Sequence, residues 1–291
     1  MDIIVIFNGL GNQMSQYSFF LAKKKKVKYC KVIFAPESRT RHYGYELDKV
    51  FGIKYDNGFL IKVLTGIYIL LKCRILSRLF PKIGIKLIYE PKNYDYDEKC
   101  LGSGLGWLNF YVGGWHSEKY FNDIRSEILK VFHFPQCIND TKFVFYQEKL
   151  LSSNAVSIHI RRGDYLNVKP GDFYQYCGVA TLSYYKKAII HMRKYVDNPV
   201  FFIFSNDLDW CRKMFNNEHF IYVDCNLGEN SWKDLYLISL CRYHINANST
   251  FSWWGAWLCN KNHQITVCPS YFLLNVETKD FYPQNWIKLS E

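Results

Sequence analysis

Beyond Asp164 the chain settles into a rhythm that few folds can accommodate. Leu182, Tyr185, Ile189, Met192 and Val196 recur at helical spacing, Val200-Phe201-Phe202-Ile203-Phe204 is an apolar run too short for a helix, Leu208 to Phe215 is helical again, and Phe220-Ile221-Tyr222-Val223 reads as another strand. The alternation continues with a helix over Trp232 to Tyr243, a short strand at Ile245 to Ala247, a helix over Trp253 to Leu258 and a strand over Gln264 to Cys268. Strands that are apolar throughout are buried on both faces, and strands separated by helices pair in parallel through right-handed crossovers. The carboxyl half is therefore predicted to be an α/β, Rossmann-like domain built on a parallel sheet.

Such a sheet holds ligands beyond the carboxyl ends of its strands, and polar residues gather there. Ser157-Ile158-His159-Ile160 runs into Arg161-Arg162-Gly163-Asp164, a second strand ends in Ser205-Asn206-Asp207, and a third in Asn248-Ser249-Thr250 with Ser252. The arginines offer planar donor forks suited to a diphosphate. Asp207 supplies a carboxylate for a base or ribose, and the hydroxyls at a helix amino terminus suit a phosphate. Singly, the arginines with Asp164 read as a surface salt bridge and the other clusters as helix caps. Their coincidence on successive strand ends points to a ligand site. His159, on the same strand face as Arg161, lies either beside that ligand or in the core as a hydrogen-bonded histidine.

The amino-terminal half begins with a strand, Asp2 to Phe7, then Asn8-Gly9-Leu10-Gly11-Asn12-Gln13, then a helical stripe of Met14, Tyr17, Phe20 and Leu21. A dinucleotide fingerprint needs a third glycine where Met14 stands, so Gly9 and Gly11 are read instead as permitting close approach of another ligand, with Asn12 and Gln13 offering amide groups. From Tyr43 to about Phe145 the pattern is irregular and loops are expected to dominate. Trp107, Tyr111 and Trp115 fit either sugar stacking or a core. A chain of 291 residues accommodates two domains, here expected at 1–150 and 151–291, the last residues of the second being candidates to return to the first.

The formal net charge of +11 and pI of 9.0 call for an anionic partner: nucleic acid, a nucleotide substrate or an acidic membrane. A lysine run at Lys23 to Lys26 reads as a solvated helix end. The longest apolar run, Phe59 to Leu71, is interrupted by Lys62 and stops at Lys72, short of a membrane span. With Arg74, Arg78 and Lys82 it fits a helix that either packs on the domain or lies on an anionic membrane surface. The ten cysteines include no Cys-x-x-Cys pair and no metal-ligand pattern. With no signal-peptide pattern at the start, a cytoplasmic location, if need be at the inner face of the plasma membrane, and free thiols are expected.

These motifs together resemble the bacterial α-1,2-fucosyltransferases of glycosyltransferase family 11. The likeness runs through Asn8-Gly9-Leu10-Gly11-Asn12-Gln13-Met14, His159-Ile160-Arg161-Arg162-Gly163-Asp164-Tyr165, Phe204-Ser205-Asn206-Asp207 with Trp210, Asn246 to Leu258, and Tyr282-Pro283-Gln284-Asn285-Trp286. Asn8 stands where the family usually has a further glycine, and Ser15 also departs from its pattern.

The resemblance implies two Rossmann-like domains facing a cleft, of GT-B type, and inverting transfer of fucose from GDP-β-L-fucose to the 2-hydroxyl of a galactose in a surface glycan such as O-antigen. GDP-fucose is then the donor substrate, no cofactor or metal is needed, and no nucleic acid is bound. Donor contacts are expected from His159, Arg161, Arg162, Asp207, Ser249, Thr250 and Ser252, and acceptor-side contacts from Gly9, Gly11, Asn12 and Gln13. In catalysis Arg161 balances the leaving phosphate, Asp164 orients the arginines and Asp172 is the candidate base. The rival readings are a non-catalytic nucleotide or nucleic-acid binding protein, or a transferase with another donor.

Overall fold

The computed structural model of the chain describes residues 1–40, 42–166, 178–216 and 219–290, with Asp164 as backbone only. It divides into two compact units, Met1–Pro135 with Lys279–Phe281, and Gln136–Thr278 with Tyr282–Glu291.

The first unit contains β1 (Asp2–Ile6), α1 (Leu10–Lys26), β2 (Cys30–Phe34), α2 (Glu46–Phe51), α3 (Phe59–Leu71), α4 (Leu76–Leu79), β3 (Ile85–Tyr89), β4 (Leu108–Val112) and α5 (Arg125–Val131). Its four strands pair in parallel in the order β2-β1-β4-β3. Two of them lie in the stretch expected to be mostly loop. β3 is an edge strand carrying Lys86. β4 is broken in pattern by the buried Asn109, whose Nδ2 donates to Asp2 Oδ1 at 2.8 Å. One sheet face packs Ile3, Val5, Ile33 and Phe110 against Ile61, Leu64 and Tyr68 of α3. Phe19 of α1 stacks on Trp115 with centroids 4.1 Å apart. Tyr111 and Trp115 are thus core residues, while Trp107 is exposed. The lysine run is also not uniformly solvated: Lys23 is fully buried, its Nζ 3.0 Å from Asp2 Oδ2 and 3.9 Å above the Tyr111 ring.

The second unit contains α6 (Thr141–Leu151), β5 (Asn154–Ile160), α7 (Gly163–Leu166), α8 (Leu182–Tyr195), β6 (Pro199–Ser205), α9 (Leu208–Met214), β7 (Phe220–Tyr222), α10 (Trp232–Leu240), β8 (Tyr243–Ile245), α11 (Thr250–Leu258), β9 (Ile265–Pro269) and β10 (Ile287–Leu289). The strands form one parallel sheet in the order β10-β9-β8-β5-β6-β7. Alternate residues of β5 serve opposite faces. Val156, Ile158 and Ile160 meet Tyr185, Ile189 and Met192 of α8, and Ala155 joins Phe143 and Leu150 of α6 with Leu237 and Ile238 of α10. That packing keeps α6 with this unit, so the division falls at 135/136 and not at 150. The closing residues form β10 on β9, leaving only Lys279–Phe281 with the first unit.

Gly255 sets the seating of α11. A Cβ there would lie 2.4 Å from Ile238 Cγ2 of α10, so no other residue permits this approach. Trp253, Trp254 and Trp257 bury the remaining faces of α11 and hold its amino terminus at the end of β8. Nine cysteines are described, all as free thiols.

Candidate active site

In the second unit the chain moves outward from β5 through β6 to β7, then crosses back to place β8, β9 and β10 on the other side of β5. The strand order therefore reverses between β5 and β8, and the crevice beyond their carboxyl ends is where such sheets take ligands. Arg161 and Arg162 leave the end of β5, and residues 246–249 leave the end of β8 and enter α11.

Arg162 is held on three sides. Its Nε lies 3.2 Å from Asp207 Oδ2, its guanidinium carbon sits 3.9 Å from the Trp210 ring centroid, and its backbone N–H donates to Asn206 Oδ1 at 2.9 Å. Gly163 permits the corner, since a Cβ there would meet the Asn206 amide nitrogen at 2.9 Å. Asp207 also caps α9, its Oδ1 accepting from Trp210 N at 3.2 Å. The arginine and the carboxylate predicted from separate strand ends are thus one preorganised cluster. Arg161 lies with its guanidinium carbon 5.7 Å from the Tyr165 ring, and the Tyr165 hydroxyl donates to Asn248 O at 3.4 Å, tying the end of β5 to that of β8. The backbone of Asp164 lies in α7, two residues after Arg162 in the chain. Asp172 lies outside the described residues.

Two buried polar side chains stand at the same crevice. His159 is 6% exposed and its Nδ1 has no hydrogen-bond partner among the described residues. Burial, aided by the charge of Arg161, holds its pKa down to about 3, so the ring is neutral. Asn246 is 1% exposed, and neither its Oδ1 nor its Nδ2 finds a partner among the described residues. The β5–β8 register pairs Ser157 with His244 and Ile158 with Ile245, so its next step sets His159 beside Asn246. Buried amides without partners cost about 1–3 kcal/mol and are rare in native proteins. His159 Nδ1 and the Asn246 amide thus hold unfilled hydrogen-bonding capacity side by side among the described residues.

Across residues 89–290 the chain matches the sequence model of Glycosyl transferase family 11. The chain belongs to this family. It is 34% identical over 303 residues to an alpha-1,2-colitosyltransferase of Escherichia coli, covering 100% of both chains. To the O-antigen biosynthesis glycosyltransferase WbnK, also of Escherichia coli, it is 30% identical over 299 residues, covering 97% of this chain and 98% of that one. It is 27% identical over 179 residues to galactoside alpha-(1,2)-fucosyltransferase 2 of Mus musculus, covering 53% and 51% respectively.

In this family 11 transferase the hydroxyls predicted to hold phosphate divide into two kinds. Ser249 Oγ accepts from Phe251 N at 3.3 Å as the cap of α11, and Thr250 is half-buried at its first turn. Ser252 is fully buried and its hydroxyl faces inward, 3.4 Å from the carbonyls of Ala247 and Ser249. The helix mouth is thus formed by Ser249 and Thr250 without Ser252, because the second turn of α11 is already enclosed.

A similar division holds in the first unit. Gln13 is fully buried: its Nε2 donates to Asn8 O and Gly44 O at 2.7 and 2.8 Å, and its Oε1 accepts from Glu46 N at 2.9 Å. Its amide is engaged in holding the turn and is not open to an acceptor. Asn12 remains half-buried and Gly9 faces the His42 ring. The left-handed residue of the turn is Asn8, at φ 63°, and not a glycine. Asparagine tolerates that conformation, which accounts for its standing where the family usually has glycine. Asn246 and Trp210 lie inside the motifs that carry the family likeness, but the burial of the one and the stacking of the other on Arg162 are features that a sequence does not display.

Proposed function

We propose that this chain transfers L-fucose from GDP-β-L-fucose to the 2-hydroxyl of a galactose in a bacterial surface glycan of the O-antigen type. The observation that carries the reading is the cationic corner Arg161-Arg162 at the reversal of the second sheet, opposite the capped amino terminus of α11. As the acceptor oxygen bonds to the anomeric carbon, the bond from that carbon to the β-phosphate oxygen breaks and GDP departs with the electron pair. Fixed guanidinium and backbone N–H donors balance that charge best when already in place. Arg161 and the mouth of α11 take this role without a divalent cation, and Arg162, braced by Asp207 and Trp210, orients the nucleotide. Asp207 faces the guanine edge with its remaining lone pairs, and His159 and Asn246 line the floor. The sugar passes through a cationic, oxocarbenium-like state, so the attacking hydroxyl needs only modest help from a base; Asp172 is assigned that part.

A second donor is favoured by the full-length likeness to a colitosyltransferase. Colitose is fucose lacking one hydroxyl, and both would use the same phosphate contacts. A screen of GDP-fucose, GDP-colitose, GDP-mannose and UDP-galactose against galactosides, with linkage read by NMR and with EDTA present, tests the reading. An α-1,2-fucosyl product in EDTA is expected. Strict preference for GDP-colitose would replace the donor, transfer only with added manganese would overturn the metal-free step, and no transfer from any GDP-sugar would overturn the reading itself.

A further inference from the structure

α3 is apolar on two opposite sides. Ile61, Leu64, Tyr68 and Leu71 face the core of the first unit. Phe59, Val63, Gly66 and Leu70 recur at the same helical spacing on the opposite side, where Phe59 is 84% exposed. A helix that only covers a sheet carries polar residues on its outer face. α3, about 20 Å long by its 13 residues, carries Lys62 as its one charged residue, the rest of that side being apolar.

The chain beyond it repeats the anomaly. Through α4 and the following 3-10 turn, Phe80–Ile83, exposed apolar residues recur every fourth position as Ile75, Leu79 and Ile83, at 70%, 50% and 60% exposure. Each is preceded by a base, Arg74, Arg78 and Lys82. Trp107, 63% exposed, joins the same edge, its Nε1 donating to Ile83 O at 2.6 Å. From residue 57 to residue 89 the sequence holds six Lys or Arg, at 62, 72, 74, 78, 82 and 86, and no Asp or Glu. Lys72 is paired with Glu37, while no ion pair is formed by Lys62, Arg74, Arg78 or Lys82 among the described residues.

We propose that this face of the first unit, from α3 through Ile83 with Trp107, docks on the surface of a bilayer containing anionic phospholipid. A row of exposed apolar side chains between cationic ones matches an interface in which acyl chains lie beneath anionic headgroups, and an indole half in water suits the headgroup level. Charge decides against the other occupant of an apolar face, a second copy: a two-fold pairing would set the same cationic patch against itself. No described helix is long and apolar enough to cross a membrane, so the contact is one of surface docking.

The full chain is sedimented with vesicles of phosphatidylcholine alone and of phosphatidylcholine with phosphatidylglycerol, at low and high sodium chloride. Binding is expected only with the anionic lipid and is expected to weaken with salt. A base near such a surface is worth about fivefold in partition, so Arg74→Gln, Arg78→Gln and Lys82→Gln together lower it about 100-fold. Ile75→Gln with Ile83→Gln weakens it while leaving the salt response in place. These side chains are exposed, and unchanged circular dichroism and melting temperature check that the variants fold. Absence of binding to the anionic vesicles overturns the proposal, as does unaltered binding by both variants. A dimer in analytical ultracentrifugation that Ile75→Gln with Ile83→Gln dissolves would assign the face to self-association instead. The readout needs no turnover, so its failure is separate from any failure of the donor assignment.

Discussion

Arg162 and Asp207 come from the ends of neighbouring strands and meet with Nε 3.2 Å from Oδ2, while the same guanidinium lies 3.9 Å from the Trp210 ring centroid. Asp207 in turn caps α9 through its other oxygen. One carboxylate therefore fixes both the start of a helix and the direction of a cation. Asp207→Asn keeps a capping oxygen but removes the charge that faces Arg162, and Arg162→Lys removes the planar stack and the fork. Both are expected to raise the Kd for GDP about tenfold by calorimetry with little change in melting temperature. Unchanged GDP affinity in both would reduce the pair to a helix-capping salt bridge.

Arg161 carries a different load. If it balances the departing diphosphate, Arg161→Lys loses about 100-fold or more in kcat, the scale for removing one preorganised donor from a developing anion, while GDP still binds. A variant that keeps most of its kcat and loses GDP affinity would make Arg161 a ground-state contact only.

How much of this was legible in the sequence follows from what sequence patterns record. The apolar runs of β5 and β6 and the stripe of α8 gave the second sheet, because buried strands and helix stripes write their period directly. The polar clusters at strand ends pointed to Arg162 and Asp207 separately, and the structure shows them in contact. β3 and β4 stayed hidden because Lys86 on an edge strand and the buried Asn109, bonded to Asp2, interrupt the pattern that identifies a strand. Gln13 and Ser252 read as ligand groups in the sequence because it shows that a side chain is polar and not which way it faces. Lys23 is the same lesson in reverse: a residue of a lysine run, fully buried on Asp2.

Gln13 offers a direct check of that orientation. Gln13→Leu deletes three hydrogen bonds and strands the Glu46 N–H and two carbonyls. At about 1 kcal/mol each, a loss near 3 kcal/mol is expected, read as a lower melting temperature, with GDP affinity unaltered in the folded fraction. A stable variant with an impaired acceptor KM would restore Gln13 to the acceptor side.

Stability against pH has opposing contributions. Burial pulls His116, His159 and His244 down to about 3, so below their ordinary 6.5 the unfolded chain binds protons that the folded one refuses, and stability is lost as pH falls from 6.5 towards 3. Burial pushes Glu46, Glu90 and Asp234 up to about 7, so the folded chain takes protons first, and stability is gained as pH falls from 7 towards the ordinary carboxylate range. These six groups largely offset one another between pH 6.5 and 4.5, and His191, also lowered by burial, tilts the balance towards a shallow fall in melting temperature that steepens below that window. Glu90→Gln removes one gaining group. Its melting temperature should therefore slope downward more steeply on acidification across that window, by about 1.4 kcal/mol per pH unit at most. Scanning calorimetry showing wild-type behaviour in Glu90→Gln would mean that this carboxyl is already ionised at neutral pH.

Asn246 separates a ligand group from a structural one most sharply. Its backbone is fully used, the N–H donating to Val267 O at 2.9 Å and the carbonyl accepting from Tyr184 Oη at 2.7 Å, so its place in the sheet does not depend on its side chain. The amide is buried beside His159 with neither atom partnered among the described residues. In the absence of ligand such a group lowers stability, and a side chain of similar size without polar atoms removes that cost. Asn246→Leu is accordingly expected to melt at the same temperature as the parent or a few degrees higher, and to bind GDP at least tenfold more weakly by calorimetry. It should also lose the increase in melting temperature that GDP confers on the parent by mass action. A gain in stability bought with a loss of binding is the mark of a residue kept for its ligand. The opposite pattern, a lower melting temperature with GDP affinity intact, would show that the amide is satisfied within the fold and would remove Asn246 from the site.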